Sequence, residues 1–300
     1  MLNGVIIVNK EKDFTSHDVV AKLRGILKQK KIGHTGTLDP QAEGVLPVCL
    51  GNATKLCDIL TDKKKEYVAT LLLGVTTDTQ DMTGTVQKQS DVAADEESVQ
   101  KVMESFVGKS MQIPPMYSAL KVNGKKLYEL AREGKVVERE ARPIEIYELE
   151  ILSMKLPEVE IRVLCSKGTY IRTLCADIGD RLGCGGCMKS LLRTKVEDFC
   201  LENAHTLSQI EEIRDRGKLA DLVIPVDRIF FRLQKIHIRP EFSVIVENGN
   251  TCPLTMIQET VKAADGERFL MYHSNDVFYG IYEYVAADNL LKPYKMFIPV

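Results

Sequence analysis

Several common features are missing from this 300-residue chain. No apolar run approaches the ~18 residues that a membrane-spanning helix needs. The segment from Met1 to Gly4 has neither the basic flank nor the cleavage site of a signal peptide. The net charge of −2 argues against a protein coated with positive charge. We therefore expect a soluble, cytoplasmic protein without membrane contacts, in which any binding of nucleic acid is local.

The sequence also lacks a P-loop, a dinucleotide-binding fingerprint and a complete set of metal ligands. Cys184 and Cys187 have the C-x-x-C spacing of a zinc site, but no second pair of cysteine or histidine ligands accompanies them. Their glycine-rich surroundings differ from a redox motif that opens a helix. Because the eight cysteines are scattered in a chain without a secretion signal, we expect reduced, mostly buried thiols and neither cofactor nor metal.

The hydrophobicity pattern predicts a larger unit of strands and helices, over residues 1–230, and a small β-rich domain over residues 231–300. Strands are predicted at 5–9, 45–50, 65–73, 144–151, 159–163, 235–238, 268–273, 277–282 and 295–298, and helices at 15–28, 53–60, 95–106, 171–182 and 208–216. Turns rich in glycine, asparagine and aspartate separate the strands of the smaller unit.

The segment from Ile32 to Val48 differs most from ordinary folding sequence. It carries three glycines, His34 and Asp39, and it runs into the apolar stretch Val45 to Leu50 that is typical of a buried strand. Pro40 biases the backbone of Asp39 toward extended dihedral angles, which restricts the direction of the Asp39 carboxylate. An Asp-Pro pair is also a common way to open a turn. These residues alone therefore leave both a structural and a functional interpretation open.

Charge is unevenly distributed along the chain. Residues 22–31 hold five basic and no acidic side chains, and residues 121–142 hold seven basic and four acidic ones. The second stretch is interleaved with Tyr128, and basic groups beside aromatics suit a groove that follows a nucleic-acid backbone. A surface helix with alternating charges would look much the same.

Four motifs together identify a resemblance. Gly33 to Pro47 reads G-H-T-G-T-L-D-P-x-A-x-G-V-L-P, and Lys65 to Tyr67 reads K-x-Y. Gly74 to Asp81 reads G-x-x-T-x-T-x-D, and Ser166 to Leu174 reads S-K-G-T-Y-I-R-T-L. The chain resembles the bacterial tRNA pseudouridine synthase B (TruB) family over most of its length. A pattern of fifteen positions in the first motif is far more specific than a three-residue signature.

The resemblance implies an α+β pseudouridine synthase fold, with a central mixed, largely antiparallel sheet flanked by helices, an RNA-gripping thumb at about 112–142, and a PUA-like RNA-binding domain from residue 231. It implies an isomerase that converts uridine 55 in the T loop of tRNA to pseudouridine by base flipping, without a cofactor. The implied partner is the T-arm stem-loop of tRNA. The resemblance implies no obligatory protein partner, and the protein is expected to be a monomer.

Residue roles also follow from the resemblance. The implied catalytic residues are Asp39, Tyr67 and Arg172, with Arg172 pairing with Asp39. The residues implied to bind substrate are His34, Tyr170, Leu191, Lys10, Lys121 and Arg132. Tyr170 and Arg172 are two apart in a stretch that reads as extended, so both side chains are expected on the same side.

Three departures from the family pattern stand out: Glu11 replaces a proline, Cys187 a histidine and Leu192 an arginine. Three other functions remain as alternatives. A tRNA-binding chaperone would keep the fold without the chemistry, and a guide-RNA-dependent synthase subunit shares the same motifs. A hydrolase using Asp39 would need a second positioned carboxylate, which the sequence does not identify.

We predict that binding of a T-arm stem-loop weakens with rising salt, but less steeply than for a strongly basic protein. Each neutralised phosphate steepens the salt dependence, and the net charge is only −2. Fluorescence anisotropy of a labelled stem-loop over a series of KCl concentrations measures the slope. An affinity that does not change with salt would contradict the prediction.

Overall fold

A computed structural model describes residues 1–122 and 124–298 of the chain. In chain order, its larger part contains β1 (Gly4–Lys10), α1 (Ser16–Leu27), β2 (Ile32–His34), β3 (Glu43–Leu50), α2 (Cys57–Thr61), β4 (Lys65–Leu73), β5 (Val75–Thr77), β6 (Val86–Gln89), α3 (Glu96–Glu104), β7 (Gly108–Gln112), β8 (Lys121–Val122), β9 (Lys125–Lys126), α4 (Leu127–Arg132), β10 (Arg142–Lys155), β11 (Glu158–Cys165), α5 (Ile171–Arg181), β12 (Gly186–Val196), β13 (Phe199–Cys200), α6 (Leu207–Asp215) and α7 (Val226–Ile229).

The remaining elements are β14 (Gln234–His237), α8 (Ser243–Glu247), β15 (Arg268–Tyr272), β16 (Phe278–Val285) and β17 (Leu290–Met296). Short 3-10 helices span Gly51–Leu56, Leu201–Asn203, Leu219–Leu222, Pro240–Phe242 and Leu254–Met256. None of the helices in the described residues is long and apolar enough to cross a membrane.

A nine-stranded mixed sheet lies at the centre of the larger part. Its order is β1-β3-β12-β4-β11-β10-β7, with β2 added beside β3 and β13 beside β12. Strands β3 and β12 pair in parallel, whereas the neighbouring strands elsewhere along this order pair antiparallel. The predicted α+β class with a largely antiparallel central sheet is therefore confirmed.

Local sequence explains the elements that position the later residues. Strand β4 alternates strictly between buried and half-buried side chains, as a strand with one face in the core should. Helix α1 begins after Thr15, whose side chain accepts from the backbone N–H of Asp18 while the Asp18 carboxylate accepts from the backbone N–H of Thr15. This reciprocal capping box is the start signal that the sequence predicted.

Helices cover the sheet over two apolar clusters. Helices α1 and α6 contribute to the cluster that includes Leu23, Leu46 and Ile210, whereas α3 and α5 contribute to the one that includes Met103 and Ile178. Strands β3, β4 and β12 are held between these layers, so side chains at their ends have well-defined positions.

The smaller sheet has the order β14-β15-β16-β17 and its own apolar cluster, which includes Phe269 and Tyr282. It contacts the larger part through a shared apolar cluster, to which Leu270 and Tyr272 of this sheet belong, and through the Lys295 Nζ to Asp58 Oδ2 ion pair, at 2.7 Å. The predicted last strand at 295–298 was placed too late, because β17 begins at Leu290. The domain boundary near residue 230 stays a prediction.

The parallel contact between β3 and β12 depends on Gly44. Gly44 has a φ of +104°, and it lies opposite Arg193 in the register of the two strands. A Cβ on Gly44 would stand 2.2 Å from the carbonyl oxygen of Arg193, which is backbone and cannot swing away. Only glycine satisfies both the dihedral angle and the close approach.

We expect Gly44→Ala to lower the free energy of unfolding by about 3 kcal/mol, because it adds both a backbone clash and dihedral strain. Gly25→Ala is the matched control. Gly25 lies in α1, and a Cβ added to it would meet no atom within 4 Å, so alanine there should stabilise the protein by up to about 1 kcal/mol. Urea unfolding of both variants checks this, and equal effects would contradict it.

Candidate active site

A cleft of about 610 Å³ opens where the loop before β3 faces β4, β12 and the start of α5. Its walls combine a carboxylate, several basic groups, two phenols and aliphatic side chains. The predicted site residues that line it are Asp39, Tyr67, Tyr170, Arg172 and Leu191. The chain thus brings together five residues that come from widely separated segments of the sequence.

Lys10 holds the loop that carries Asp39. The Lys10 side chain is completely buried at the end of β1, and its Nζ donates to the carbonyl oxygens of Phe14 (2.6 Å), Glu11 (3.0 Å) and Pro40 (3.1 Å). Burial lowers the pKa of Lys10 to about 8. The Lys10 ammonium is enclosed by these carbonyls, and the expected role of Lys10 in substrate binding stays a prediction. Its contact with Pro40 gives it a positioning role beside Asp39.

Arg172 connects Asp39 to two other segments. Its Nη2 lies 2.9 Å from Asp39 Oδ2 and donates to the carbonyl oxygen of Tyr117 at 2.8 Å, and its Nη1 lies 3.4 Å from Asp81 Oδ2. The Arg172 side chain is 7% exposed, whereas that of Asp39 is 40% exposed to the cleft. A rigid guanidinium of this kind can orient a carboxylate that stays accessible to a ligand.

The backbone that carries Tyr170 and Arg172 differs from the prediction in one respect. Tyr170 is extended and caps α5, but Arg172 already lies in the first turn of that helix. The two side chains reach the cleft from a strand-to-helix transition and not from one face of a strand. Gln112 holds this transition, since its side chain accepts from the backbone N–H of Tyr170 at 2.8 Å and donates to its carbonyl oxygen at 3.1 Å.

Opposing influences act on the ionisation of Asp39. Desolvation by the surrounding protein raises the pKa of the Asp39 carboxyl above its ordinary value, and the Asp81 charge raises it further. The Arg172 guanidinium is the strongest influence in the other direction. Asp39 is therefore less acidic than a free aspartate, and Arg172 favours its carboxylate form.

Tyr67 and Leu191 form adjacent parts of the cleft wall. Tyr67 is 7% exposed on β4, and Leu191 projects from the neighbouring strand β12. Desolvation raises the pKa of the Tyr67 phenol. An aromatic ring beside an aliphatic side chain offers a planar base both stacking and apolar contact.

Besides Lys10, three predicted residues lie outside the cleft lining. His34 is on β2, with its ring 5.2 Å from that of His17, and desolvation lowers its pKa. Lys121 is exposed on β8. Arg132 ends α4, with its guanidinium 5.3 Å from the Tyr128 ring. Their predicted roles in binding stay predictions.

Sequence reasoning missed three residues of the site. Asp81 ends the G-x-x-T-x-T-x-D motif, but the sequence around it was interpreted only as a polar loop between two elements. Lys65 lines the cleft with its Nζ bonded to the carbonyls of Thr61 and Lys63, and burial lowers its pKa to about 8. Arg193 is 1% exposed and also lines the cleft. For Lys65 and Arg193, the signal available in the sequence was a charged residue at a strand position whose side chain points into the protein.

Residues 1–122 and 124–298 contain no group of three or more histidine, cysteine, aspartate or glutamate side chains arranged to hold a metal ion. The groups that converge on the cleft are an oriented carboxylate, a buried phenol and guanidinium cations. This set can act as a nucleophile or base, stack a planar ring, and stabilise negative charge.

Comparison with known proteins agrees with this geometry. Residues 24–171 match the profile of the TruB family pseudouridylate synthase (N terminal domain), and residues 172–230 match that of the tRNA pseudouridylate synthase B C-terminal domain. The tRNA pseudouridine synthase B of Lachnoclostridium phytofermentans is 53% identical over 99% of this chain and 100% of its own length. The chain belongs to the TruB family.

Other TruB-family proteins and their structural relatives extend the comparison. The Bacillus subtilis tRNA pseudouridine synthase B is 40% identical over 99% of this chain and 98% of its own length. Among solved structures, a chain of a Cbf5-Nop10-Gar1 complex matches with a TM-score of 0.73 and 27% identity, over 99% of this chain and 85% of that one. A chain of an H/ACA RNP bound to a substrate RNA containing 2'-deoxyuridine matches with a TM-score of 0.72 and 25% identity, with the same two coverages.

In this TruB-family protein, we predict that Arg172→Met raises the pKa of Asp39, because it removes the cation that most favours the carboxylate. Carbon NMR of aspartate-labelled protein, assigned with Asp39→Asn, measures the titration. Arg162→Met is the control. Arg162 lies on β11 and pairs with Glu150 at the surface, so its loss should leave the pKa of Asp39 unchanged. An unshifted Asp39 in Arg172→Met would refute the assigned role of the ion pair.

Proposed function

We propose that this protein is an enzyme that isomerises uridine to pseudouridine in tRNA, at position 55 of the T loop. The observation that carries the proposal is the Asp39 carboxylate, 2.9 Å from Arg172 and exposed to a cleft that Tyr67 and Leu191 also line. Relatives of 40% to 53% identity over 99% of this chain bear the name tRNA pseudouridine synthase B, which supports both the reaction and the substrate class.

The target base has to leave the T-loop stack before it can enter the cleft. Extrusion costs a few kcal/mol, and contacts inside the pocket offset that cost. Tyr67 supplies an aromatic face, and Leu191 with Tyr170 supplies the neighbouring walls. The volume of about 610 Å³ accommodates a nucleotide together with part of its backbone.

Asp39 then acts on the sugar in one of two ways. It attacks as a nucleophile, or it removes the 2′ proton as a base. Either route requires the ionised carboxylate, so Arg172 matters because it favours that form in a partly desolvated place. The N-glycosidic bond breaks, the base turns, and C5 bonds to C1′. The product is an isomer of the substrate, so the reaction balances without a cofactor.

Tyr67 serves the last part of the reaction. Once C5 has joined the sugar, it still carries a hydrogen that must be removed to restore the conjugated ring. Two titratable residues of β4, Lys65 and Tyr67, line the same cleft as Asp39. The Lys65 ammonium donates to the carbonyl oxygens of Thr61 and Lys63, so we assign the C5 deprotonation to the Tyr67 phenol. Asp39 and Tyr67 thus act in sequence on one bound nucleotide.

Residues 112–142 act as the thumb that grips the RNA. Ser118, Ala119 and Leu120 line the cleft, while Lys121 and Arg132 lie further out, where both are exposed and can meet phosphate. His34 supports the rearranged T loop near the cleft entrance. The smaller sheet, from Gln234, is assigned to RNA binding as a PUA-like domain, and the protein works as a monomer.

A guide-RNA-dependent subunit is the main competing function, given the matches to Cbf5-containing complexes. Those matches are 25% to 27% identical, well below the 53% and 40% of the tRNA pseudouridine synthase B relatives. The stronger similarity favours a synthase that selects tRNA by itself.

The decisive experiment is incubation of purified protein with an unmodified tRNA transcript, followed by mapping of pseudouridine at each position. We expect modification at position 55 by the wild type. Asp39→Asn should bind the transcript but react at least ~1000-fold more slowly, equivalent to a loss of about 4 kcal/mol of transition-state stabilisation.

Asp91→Asn is the matched control, because Asp91 is an exposed aspartate away from the cleft and should react as the wild type does. Binding without modification by any variant would instead indicate a tRNA chaperone. Modification only in the presence of a guide RNA would indicate the guide-dependent subunit, and modification elsewhere would change the substrate position.

A further inference from the structure

Arg193 is the most deeply buried cation in the cleft wall. It is 1% exposed, and in the register of the sheet it lies directly opposite Tyr67 on the neighbouring strand. It shares the inward face of β12 with Leu191, two residues earlier. No hydrogen bond or ion pair joins it to Asp39 or Arg172, and the reaction proposed above gives it no role.

The guanidinium is anchored only in part. Its Nε donates to the carbonyl oxygen of Val45 at 2.7 Å, and its Nη1 reaches that of Thr37 at 3.5 Å. Its Nη2 has no hydrogen-bond partner, and no carboxylate pairs with it, within the residues that the structure describes. Burying a cation without a counter-charge is strongly unfavourable, so a purely structural residue would not normally be charged here.

The chemical group beside this cation is the Tyr67 phenol. The titratable groups that influence the pKa of Tyr67 are Arg193 from β12, Cys165 from β11 and Asp39 from the loop before β3. Desolvation raises the pKa of the phenol, and Cys165 and Asp39 raise it further. Arg193 alone among them lowers it, through its charge. The phenolate of Tyr67 would be the missing counter-charge of Arg193.

We propose that Arg193 is a positioning residue for Tyr67, whose anchored guanidinium orients the phenol oxygen toward the reacting base and stabilises the phenolate that removes the C5 proton. This rests on the proposed function. Two backbone carbonyls hold the cation before the substrate arrives, so little reorganisation is needed when negative charge develops on the phenol oxygen.

The deprotonation moves one proton from carbon to nitrogen. After C5 has bonded to C1′, the base carries a hydrogen on C5 and a double bond between N1 and C6. The Tyr67 phenol first gives its proton to water, and the resulting phenolate takes the C5 proton while the electrons of the C5–H bond form the C5–C6 double bond. The N1–C6 pair moves to N1, which takes a proton from water. The phenol is thereby regenerated, and the proton that it gave to water balances the one that N1 takes, so the net change is the transfer of one proton from C5 to N1.

The first test reads the ionisation of Tyr67 directly and needs no tRNA. Fluorotyrosine incorporated in place of all tyrosines lowers phenol pKa values into an accessible range, and fluorine NMR follows each ring. The Tyr67 signal is assigned with Tyr67→Phe. We expect Arg193→Met to raise the pKa of Tyr67 by about one to three pH units, and Arg193→Lys to raise it less, because lysine keeps the charge.

The second test measures single-turnover rates on a tRNA transcript. Arg193→Met should slow the reaction ~100-fold without weakening RNA binding, as loss of a preorganised electrostatic group does. Fluorotyrosine should restore a large part of that rate in Arg193→Met while changing the wild type little, since it makes the phenol more acidic without the cation. Thr194→Val is the control, because Thr194 is next on the strand and bonds Glu66 instead of Tyr67.

An unshifted Tyr67 titration in Arg193→Met overturns this proposal, even if the enzyme forms pseudouridine. The proposal is also overturned if fluorotyrosine does not restore the rate of Arg193→Met, because that result assigns Arg193 a structural role only. A shifted titration together with no pseudouridine in any tRNA would instead overturn the proposed function. Arg193→Lys keeps the test valid if Arg193→Met does not fold.

Discussion

The site depends on one ion pair, in which the buried Arg172 holds the partly exposed Asp39 while also contacting Asp81. Desolvation favours a neutral Asp39, and the guanidinium favours the charged form. Because Arg172 is buried, removal of either carboxylate would leave its cation with less counter-charge, so the two carboxylates and the arginine are mutually dependent. The exposed side of Asp39 faces the cleft, where its charge can act on a ligand.

The sheet brings these groups together by an uncommon route. Strands β3 and β12 run parallel over only two residue pairs, Leu192 with Glu43 and Arg193 with Gly44. That short contact joins the strand that follows the Asp39 loop to the strand that faces Tyr67. Lys10 completes the arrangement from the neighbouring strand β1 by bonding the carbonyl oxygen of Pro40. Charged side chains buried in the centre of the protein therefore serve to fix a loop.

Much of this could be predicted from sequence, because the relevant signals are local. Thr15 and Asp18 marked the start of α1, the strand-like run Lys65 to Leu73 marked β4, and the G-H-T-G-T-L-D-P motif marked Asp39. Partners across the sheet could not be predicted this way. Arg193 and Asp81 acquire their roles only when the fold brings them beside Tyr67 and Arg172. Nothing in the sequence indicated that the Lys10 ammonium, assigned by resemblance to substrate binding, would be enclosed by three carbonyls.

The hydrogen bond from Arg172 to the carbonyl oxygen of Tyr117 has a further consequence. Tyr117 belongs to the segment 112–142, whose outer part is basic, whereas Arg172 orients the carboxylate at the bottom of the cleft. A displacement of that segment therefore reaches Asp39 through a single hydrogen bond and a single ion pair. Under the proposed function, in which that segment grips the RNA, a poorly seated RNA would meet a misaligned carboxylate. Such a linkage would let the protein reject a wrong RNA after binding as well as before it.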